Sequence, residues 1–160
     1  MALPISVSAC ARAATAEEAA YRIDYPLAHA RSTRVVAFDE KAEETVRSVA
    51  HGPWGQAQFY TTSATGEDLF TLDGERRPMA REIEHSDSVI MVGTNLLDST
   101  AVAEVGMACR ARSIMTAGLL LLDAGPLSGN TLSAIRPYAR ILLVPSDRED
   151  LFQLLRAIRA

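Results

Sequence analysis

The chain has few cysteines: Cys10 and Cys109 are the only two among 160 residues, and they lie 99 positions apart. Two distant cysteines cannot build a disulfide framework, and a zinc site needs ligands that are clustered. We therefore expect two free thiols in a reducing compartment, which predicts a cytoplasmic protein.

The chain also lacks long hydrophobic runs and an excess of positive charge. Its longest apolar stretch, 114–122, contains Thr116 and Gly118 and is too short to span a bilayer. The N-terminal 22 residues show no basic segment followed by an apolar one, so no signal peptide is predicted. The formal net charge is −4, which gives no electrostatic footprint for nucleic acid or an anionic membrane. We expect neither as a partner.

Sequence motifs of well-known catalytic and cofactor sites are missing as well. The chain has no G-x-x-x-x-G-K-[ST] phosphate loop, no G-x-G-x-x-G after the first apolar run and no G-x-S-x-G elbow. Its histidines, His29, His51 and His85, have no neighbouring cysteine or carboxylate at metal-ligand spacing. No metal site is predicted, and the sequence names no cofactor.

Apolar residues make up 48% of the chain, enough for one domain with a substantial core. They form short runs that are continuous rather than alternating, such as VVAF, VIMV and ILLV. Continuous runs are typical of strands buried on both faces of a parallel sheet. Five strands are predicted: Arg34–Phe38, Ala57–Thr61, Ser88–Gly93, Ile114–Leu122 and Ile141–Pro145.

Helix signals follow four of these strands. Side chains that can cap a helix precede segments with apolar residues at helical spacing. The predicted helices are Glu40–His51 capped by Asp39, one from Asp98 or Ser99 to Arg112, a short one from Asn130 or Thr131, and a last one opened by a capping box of Ser146 and Glu149.

This alternation predicts a single doubly wound, three-layer α/β domain over residues 34–160, with a five-stranded, mostly parallel, Rossmann-like sheet. Residues 1–33 are predicted to form an N-terminal helical arm, with a helix over 16–23. The stretch 62–87 is long for a connection between strand and helix. Its Asp73-Gly74 pair predicts a short hairpin or lid, and Pro78 can then open a helix that ends near His85.

Ligands of open parallel sheets bind outside the carboxyl ends of the strands, where the strand order reverses. With the common order 2-1-3-4-5, this crevice lies between the first and third strands. Asp98 and the residues after it open a helix there, yet no lysine or arginine occupies this loop to compensate a polyphosphate. We expect a neutral, hydroxyl-bearing ligand such as a nucleoside or sugar, although helix capping alone also accounts for these residue types. The candidate ligand-binding residues are Asp39, Gly93, Thr94, Asn95, Ser99, Thr100, Asp123 and Gly125.

The segment 83–122 carries a resemblance to a known family. A strand that follows Asp87 leads into Asp98-Ser-Thr-Ala-Val-Ala-Glu104-Val-Gly-Met-Ala108. This pattern resembles nucleoside 2-deoxyribosyltransferase-like domains, which have a flavodoxin-like fold. The resemblance implies that Glu104 is a catalytic nucleophile that attacks an anomeric carbon and that Asp98 is a supporting carboxylate.

Two further resemblances involve the same region. The helix and strand of 101–121 are similar to those that follow the phosphate loop of the bacterial tubulin homologue, with 94–98 in place of that glycine-rich loop. The stretch also resembles short bacterial proteins that carry a ketopantoate hydroxymethyltransferase label. No residue pattern in this chain supports that last chemistry.

Three functions therefore remain open. The first is a module that binds a nucleotide- or sugar-like molecule and works as a homo-oligomer or accessory subunit. The second is an N-glycosidase or deoxyribosyltransferase-like enzyme that uses Glu104. The third is a structural interaction protein. Leu96, Leu97 and Trp54 are predicted to be core residues, part of a lid over the crevice, or oligomer contacts.

Overall fold

The computed structural model describes residues 29–122 and 125–160. Seven strands and five helices occupy these ranges. The strands are β1 (Thr33–Ala37), β2 (Ala57–Thr62), β3 (Asp68–Thr71), β4 (Arg76–Pro78), β5 (Ser88–Gly93), β6 (Met115–Leu121) and β7 (Ile141–Ser146). The helices are α1 (Glu40–Ala50), α2 (Met79–Glu84), α3 (Ser99–Ala111), α4 (Gly129–Ile135) and α5 (Arg148–Ile158).

All seven strands belong to one sheet with the order β4-β3-β2-β1-β5-β6-β7. Neighbouring strands from β2 to β7 in this order pair in parallel, whereas β3 and β4 are antiparallel additions at one edge. The prediction of an α/β domain with a mostly parallel sheet is confirmed. The prediction of five strands is wrong, because the segment after β2 folds back and pairs with it through Tyr60–Thr62.

The hairpin predicted around Asp73-Gly74 is present as β3 and β4. The backbone N–H of Gly74, at a φ of +89°, donates to the Thr71 carbonyl over 2.8 Å. A positive φ of this kind is readily adopted only by glycine. Helix α2 then starts after Pro78 and ends at His85, as the sequence predicted.

The starts of two helices differ from the prediction. Helix α4 is capped by Ser128 rather than by Asn130 or Thr131, because Thr131 is buried inside the first turn. The capping box of α5 is made by Asp147 and Asp150, not by Ser146 and Glu149. Ser146 cannot cap the helix because it still belongs to β7, where its hydroxyl donates to the Leu143 carbonyl over 3.0 Å.

Apolar side chains fill both faces of the sheet. One face packs against α2, α3 and α4, and the other packs against α1 and α5. Continuous apolar runs in β1, β5 and β6 follow from this double coverage, since neither face of a central strand meets water. Large buried side chains of the two layers include Val36, Met91 and Leu120 on the first face and Val35, Ile90 and Leu119 on the second.

The predicted free thiol of Cys109 is a core residue of α3. Burial raises the pKa of this thiol to about 12, despite an opposing effect of Arg112, so it stays protonated and unreactive at neutral pH. Cys10, the predicted helix over 16–23 and Asp123 lie outside the described residues. No helix among those that are described is long and apolar enough to cross a membrane.

A close contact at Gly106 fixes the position of α3 against the connection between α4 and β7. A Cβ at Gly106 would lie 2.5 Å from the Cβ of Tyr138 and would also collide with its ring. We expect Gly106→Ala to lower the free energy of unfolding by about 1–3 kcal/mol, because the Tyr138 backbone must move with the ring. Urea unfolding measures this difference.

The matched control is Gly129→Ala, also in a helix but with open space around the added methyl group. This variant should change stability by less than about 1 kcal/mol, in the stabilising direction. An equal loss of stability in both variants would contradict the packing role of Gly106.

Candidate functional site

The carboxyl ends of β1 and β5 are joined by the side chain of Asp39. Its Oδ1 accepts a hydrogen bond from the backbone N–H of Ala42 over 2.9 Å, and its Oδ2 accepts one from Thr94 over 2.7 Å. One carboxylate therefore caps α1 and holds the loop after β5. The structure brings Asp39 and Thr94 together at the predicted crevice, and both oxygens of Asp39 are already engaged there.

The loop after β5 is folded onto itself. Thr94 is fully buried, and its hydroxyl accepts a hydrogen bond from Leu96 N–H over 3.1 Å. A Cβ at Gly93 would lie 2.8 Å from Cδ2 of Leu97, so the absence of a side chain at Gly93 makes room for that leucine. Leu97 packs on the core, whereas Leu96 is 71% exposed. Gly93 and Thr94 therefore stabilise the conformation of this loop, Gly93 by leaving space for Leu97 and Thr94 by its hydrogen bond with Leu96.

Asn95 connects this loop to the one after β6. Its amide nitrogen donates to the Pro126 carbonyl over 3.1 Å, and its Oδ1 accepts from Ser128 N–H and the Thr131 hydroxyl. Gly125 lies in the connected loop at a φ of +85°, with open space where a side-chain methyl group would lie. Asn95 is therefore a structural tie between two loops of the predicted site.

Helices α1, α3, α4 and α5 all start at the carboxyl edge of the sheet, the edge where the parallel strands end. A side chain of the chain itself caps each of these helix N-termini: Asp39, Asp98, Ser128 and Asp147 respectively. Free amides at such positions attract phosphates. Here each cap already occupies one or two of these amides, and three of the four caps are aspartates, so a polyphosphate would meet competition and repulsion.

A cavity of about 220 Å³ opens at this edge between β1 and β2; we call it the β1–β2 cavity. Its lining is Ala37, Phe38, Asp39, Glu40, Glu43, Thr61 and Thr62. Glu43 pairs with Arg47 over 2.6 Å. The Glu40 carboxylate and the Thr61 hydroxyl have no hydrogen-bond partner within the described ranges, so both are available to a ligand.

The cavity lies one strand away from the predicted position between β1 and β5. Asp39 is among the candidate ligand-binding residues that the sequence predicts, but Glu43, Thr61 and Thr62 are not. The signal was present in the sequence, because Thr61 ends the second predicted strand and the order 2-1-3-4-5 places that strand beside the first.

The residues of α3 divide into two groups. Asp98 Oδ1 accepts from Thr100 N–H over 2.8 Å and from Ala101 N–H over 3.3 Å, with Ser99 exposed beside it. Glu104 is half-buried beside the turn at Gly66. A Cβ added at Gly66 would lie 2.9 Å from the Cβ of Glu104. Six residues along an α-helix turn through about 600°, so Asp98 and Glu104 are not on one face. Glu104 does not line the β1–β2 cavity.

A second polar cluster connects α2 to the sheet. The Tyr60 hydroxyl lies 2.5 Å from Oε2 of Glu82 and 2.6 Å from Oε1 of Gln58, and buried Arg34 lies 3.7 Å from Glu82. Burial, and then the hydrogen bond to Glu82, raise the pKa of Tyr60 above its usual value. The phenol stays protonated and acts as a hydrogen-bond donor, which suits a structural role.

Comparison of the sequence with known protein families finds no match, and neither does comparison with curated proteins. Within residues 29–122 and 125–160, no group of three or more histidine, cysteine or acidic side chains is arranged to hold a metal ion.

We expect Asp39→Asn to lower the free energy of unfolding by about 1–3 kcal/mol. An asparagine keeps one acceptor oxygen and turns an N–H₂ group toward either Ala42 or Thr94, so one buried amide loses its partner. Denaturant unfolding followed by circular dichroism measures the change.

Asp98→Asn is the matched control, because a single oxygen of Asp98 accepts both hydrogen bonds and an asparagine oxygen can replace it. This variant should change the free energy of unfolding by no more than about 0.5 kcal/mol, since aspartate and asparagine are similar N-caps. If both variants were equally stable, Asp39 would not hold the two loops together.

Proposed function

We propose that this chain binds a neutral, hydroxyl-bearing small molecule, a nucleoside or a sugar, in the β1–β2 cavity. The observation that carries the proposal is the pair of unused polar groups in that cavity, the Glu40 carboxylate and the Thr61 hydroxyl. A ligand hydroxyl can donate to Glu40, and another can accept from Thr61.

The electrostatics of the carboxyl edge support a neutral ligand. Asp39, Glu40 and Glu43 line the cavity, while no lysine or arginine does. A phosphate would approach three carboxylates, of which only Glu43 is paired with a cation. A nucleoside or sugar avoids this repulsion and still uses the hydrogen-bonding groups.

We also propose that the fold is a flavodoxin-like arrangement extended by an antiparallel hairpin. The parallel strands follow the order β2-β1-β5-β6-β7, which supports this assignment. The chain would act as a homo-oligomer or accessory subunit. Leu96 and Leu122, 71% and 50% exposed on two loops that Asn95 ties together, supply an apolar contact for such an assembly.

Isothermal titration calorimetry with a panel of nucleosides and monosaccharides tests the ligand proposal. We expect Glu40→Gln and Thr61→Val each to weaken binding about tenfold or more, since each removes a hydrogen bond to the ligand. Glu44→Gln is the control on the same helix: Glu44 pairs with Lys41 and does not line the cavity.

Unchanged affinity in the Glu40 and Thr61 variants, or an equal loss of affinity in the Glu44 variant, would show that the ligand does not bind in the β1–β2 cavity. A panel with no binding at all would contradict the proposal. Together with a stable oligomer in sedimentation experiments, that result would favour the structural interaction role.

A second candidate is an N-glycosidase or deoxyribosyltransferase-like activity. One observation supports it: the half-buried carboxylate of Glu104 has no hydrogen-bond or ion-pair partner in the part of the chain that the structure describes. Such a carboxylate is free to attack an anomeric carbon. Glu104→Gln should abolish release of free base from a nucleoside while leaving calorimetric binding at the β1–β2 cavity unchanged. Equal turnover by wild type and variant would exclude this activity.

A further inference from the structure

A second polar cavity lies at the opposite end of the sheet from the β1–β2 cavity. It has a volume of about 350 Å³ and opens between the C-terminus of α3 and the connection from α4 to β7. Its polar lining includes Arg110, Ser113, Tyr138 and Arg140. Aspartate and glutamate do not contribute to its lining. We call it the amino-edge cavity, because the parallel strands begin at this edge.

Hydrogen-bond donors outnumber acceptors among its side chains. Within the described residues, the Arg140 guanidinium and the hydroxyls of Ser113 and Tyr138 have no partner. Arg110 donates one N–H to the Pro137 carbonyl over 2.5 Å, and its Cζ lies 5.5 Å from the centre of the Tyr138 ring. The remaining N–H groups of Arg110 are available. A ligand that only accepts hydrogen bonds fits such a lining.

Ser113 occupies a backbone conformation that favours glycine. Its φ is +56°, in the left-handed region, directly after the residue that ends α3. Glycine is the usual residue at this position of a helix C-terminus, because a Cβ is strained there. A serine at this position places a hydroxyl at the cavity at the expense of that strain, and such outliers cluster at binding sites.

The wall of the cavity is closely packed. Gly106 lets the Tyr138 ring pack directly against α3, and Arg110 stacks over the same ring. The backbone beneath is fixed as well, since the Thr116 hydroxyl donates to the Tyr138 carbonyl and accepts from Arg140 N–H over 3.3 Å. The Arg110 guanidinium and the backbone that carries Tyr138 and Arg140 are therefore held in position before any ligand binds, which lowers the entropic cost of binding.

We propose that the amino-edge cavity binds a phosphomonoester dianion. Arg140 and Arg110 supply two guanidinium groups, whose planar fork matches phosphate oxygens, and Ser113 and Tyr138 add neutral donors. This site is independent of the proposed nucleoside or sugar site, because it lies at the other edge of the sheet and shares no lining residue with it.

Isothermal titration calorimetry with inorganic phosphate, glycerol 3-phosphate and a nucleoside 5′-monophosphate tests the proposal. We expect saturable binding of at least one of the three, and Arg140→Gln should weaken it about tenfold or more. Tighter binding of the esters than of inorganic phosphate identifies an organic phosphate as the ligand. The reverse order identifies free phosphate.

Arg156→Gln is the matched control: it removes the same charge from an exposed position on α5, away from the cavity. The affinity of this variant for the phosphate probes should equal that of the wild type. An equal loss in both arginine variants would mean that only overall charge matters, and no binding of any of the three probes at millimolar concentration would overturn the proposal.

Ser113→Gly separates a ligand role from a structural one. Glycine relieves the strain at a positive φ, so we expect a higher melting temperature together with weaker phosphate binding. Higher stability with unchanged affinity would remove Ser113 from the site. Unchanged affinity in both the Ser113 and the Arg140 variants would overturn the assignment of this cavity.

Discussion

The carboxylate of Asp39 is the interaction on which the carboxyl edge of the sheet depends. It satisfies an amide at the start of α1 and the amide of Thr94 at the start of the loop after β5, which lies 55 residues beyond Asp39 in the chain. Strands β1 and β5 meet where the strand order reverses, and the backbone bond from Phe38 N–H to the Val92 carbonyl ends their pairing just before the Asp39 carboxylate takes over. The same carboxylate also forms part of the β1–β2 cavity wall, which links the stability of this edge to the shape of the cavity.

Helix capping brings aspartates together at one edge of the sheet, and arginines line the cavity at the other edge. Carboxylates favour helix N-termini and arginines favour helix C-termini, because each complements the helix dipole. Helices that follow parallel strands all start at the carboxyl edge, so their capping aspartates gather there. Arg110, Arg112 and Arg140 lie at the amino edge, and the C-terminal end of α3 contributes the first two of these. In a chain with a formal net charge of −4, the β1–β2 cavity is thus lined by carboxylates and the amino-edge cavity by arginines.

Local chemistry made much of the fold predictable. Continuous apolar runs predict strands that are buried on both faces, which is typical of a parallel sheet. The Asp73-Gly74 pair predicts a tight turn, and therefore a hairpin. The pairing of that hairpin with β2 depends on contacts between Tyr60–Thr62 and Leu69–Thr71, which no local pattern encodes. The cap of α5 shifted by one residue for a similar reason, since β7 retains Ser146 through its hydrogen bond to Leu143. Asp39 was predicted as a cap, but its bond to Thr94 is a product of the sheet order.

The sequence predicts a candidate-site residue well when its role is local, as for a helix cap. It predicts less about a cavity whose lining residues come from several strands and helices. Helix α3 shows the difference: it has 13 residues, so Asp98 at its start and Ser113 beyond its end are separated by roughly 20 Å. A nucleoside monophosphate is shorter than this distance and cannot place its sugar at one edge and its phosphate at the other. The β1–β2 cavity and the amino-edge cavity likewise lie at opposite edges of the sheet and share no lining residue, so each proposed site would bind its own ligand. The elements that connect them are the paired strands β1, β5 and β6, because Ala37 of β1 lines one cavity and Thr116 of β6 lines the other.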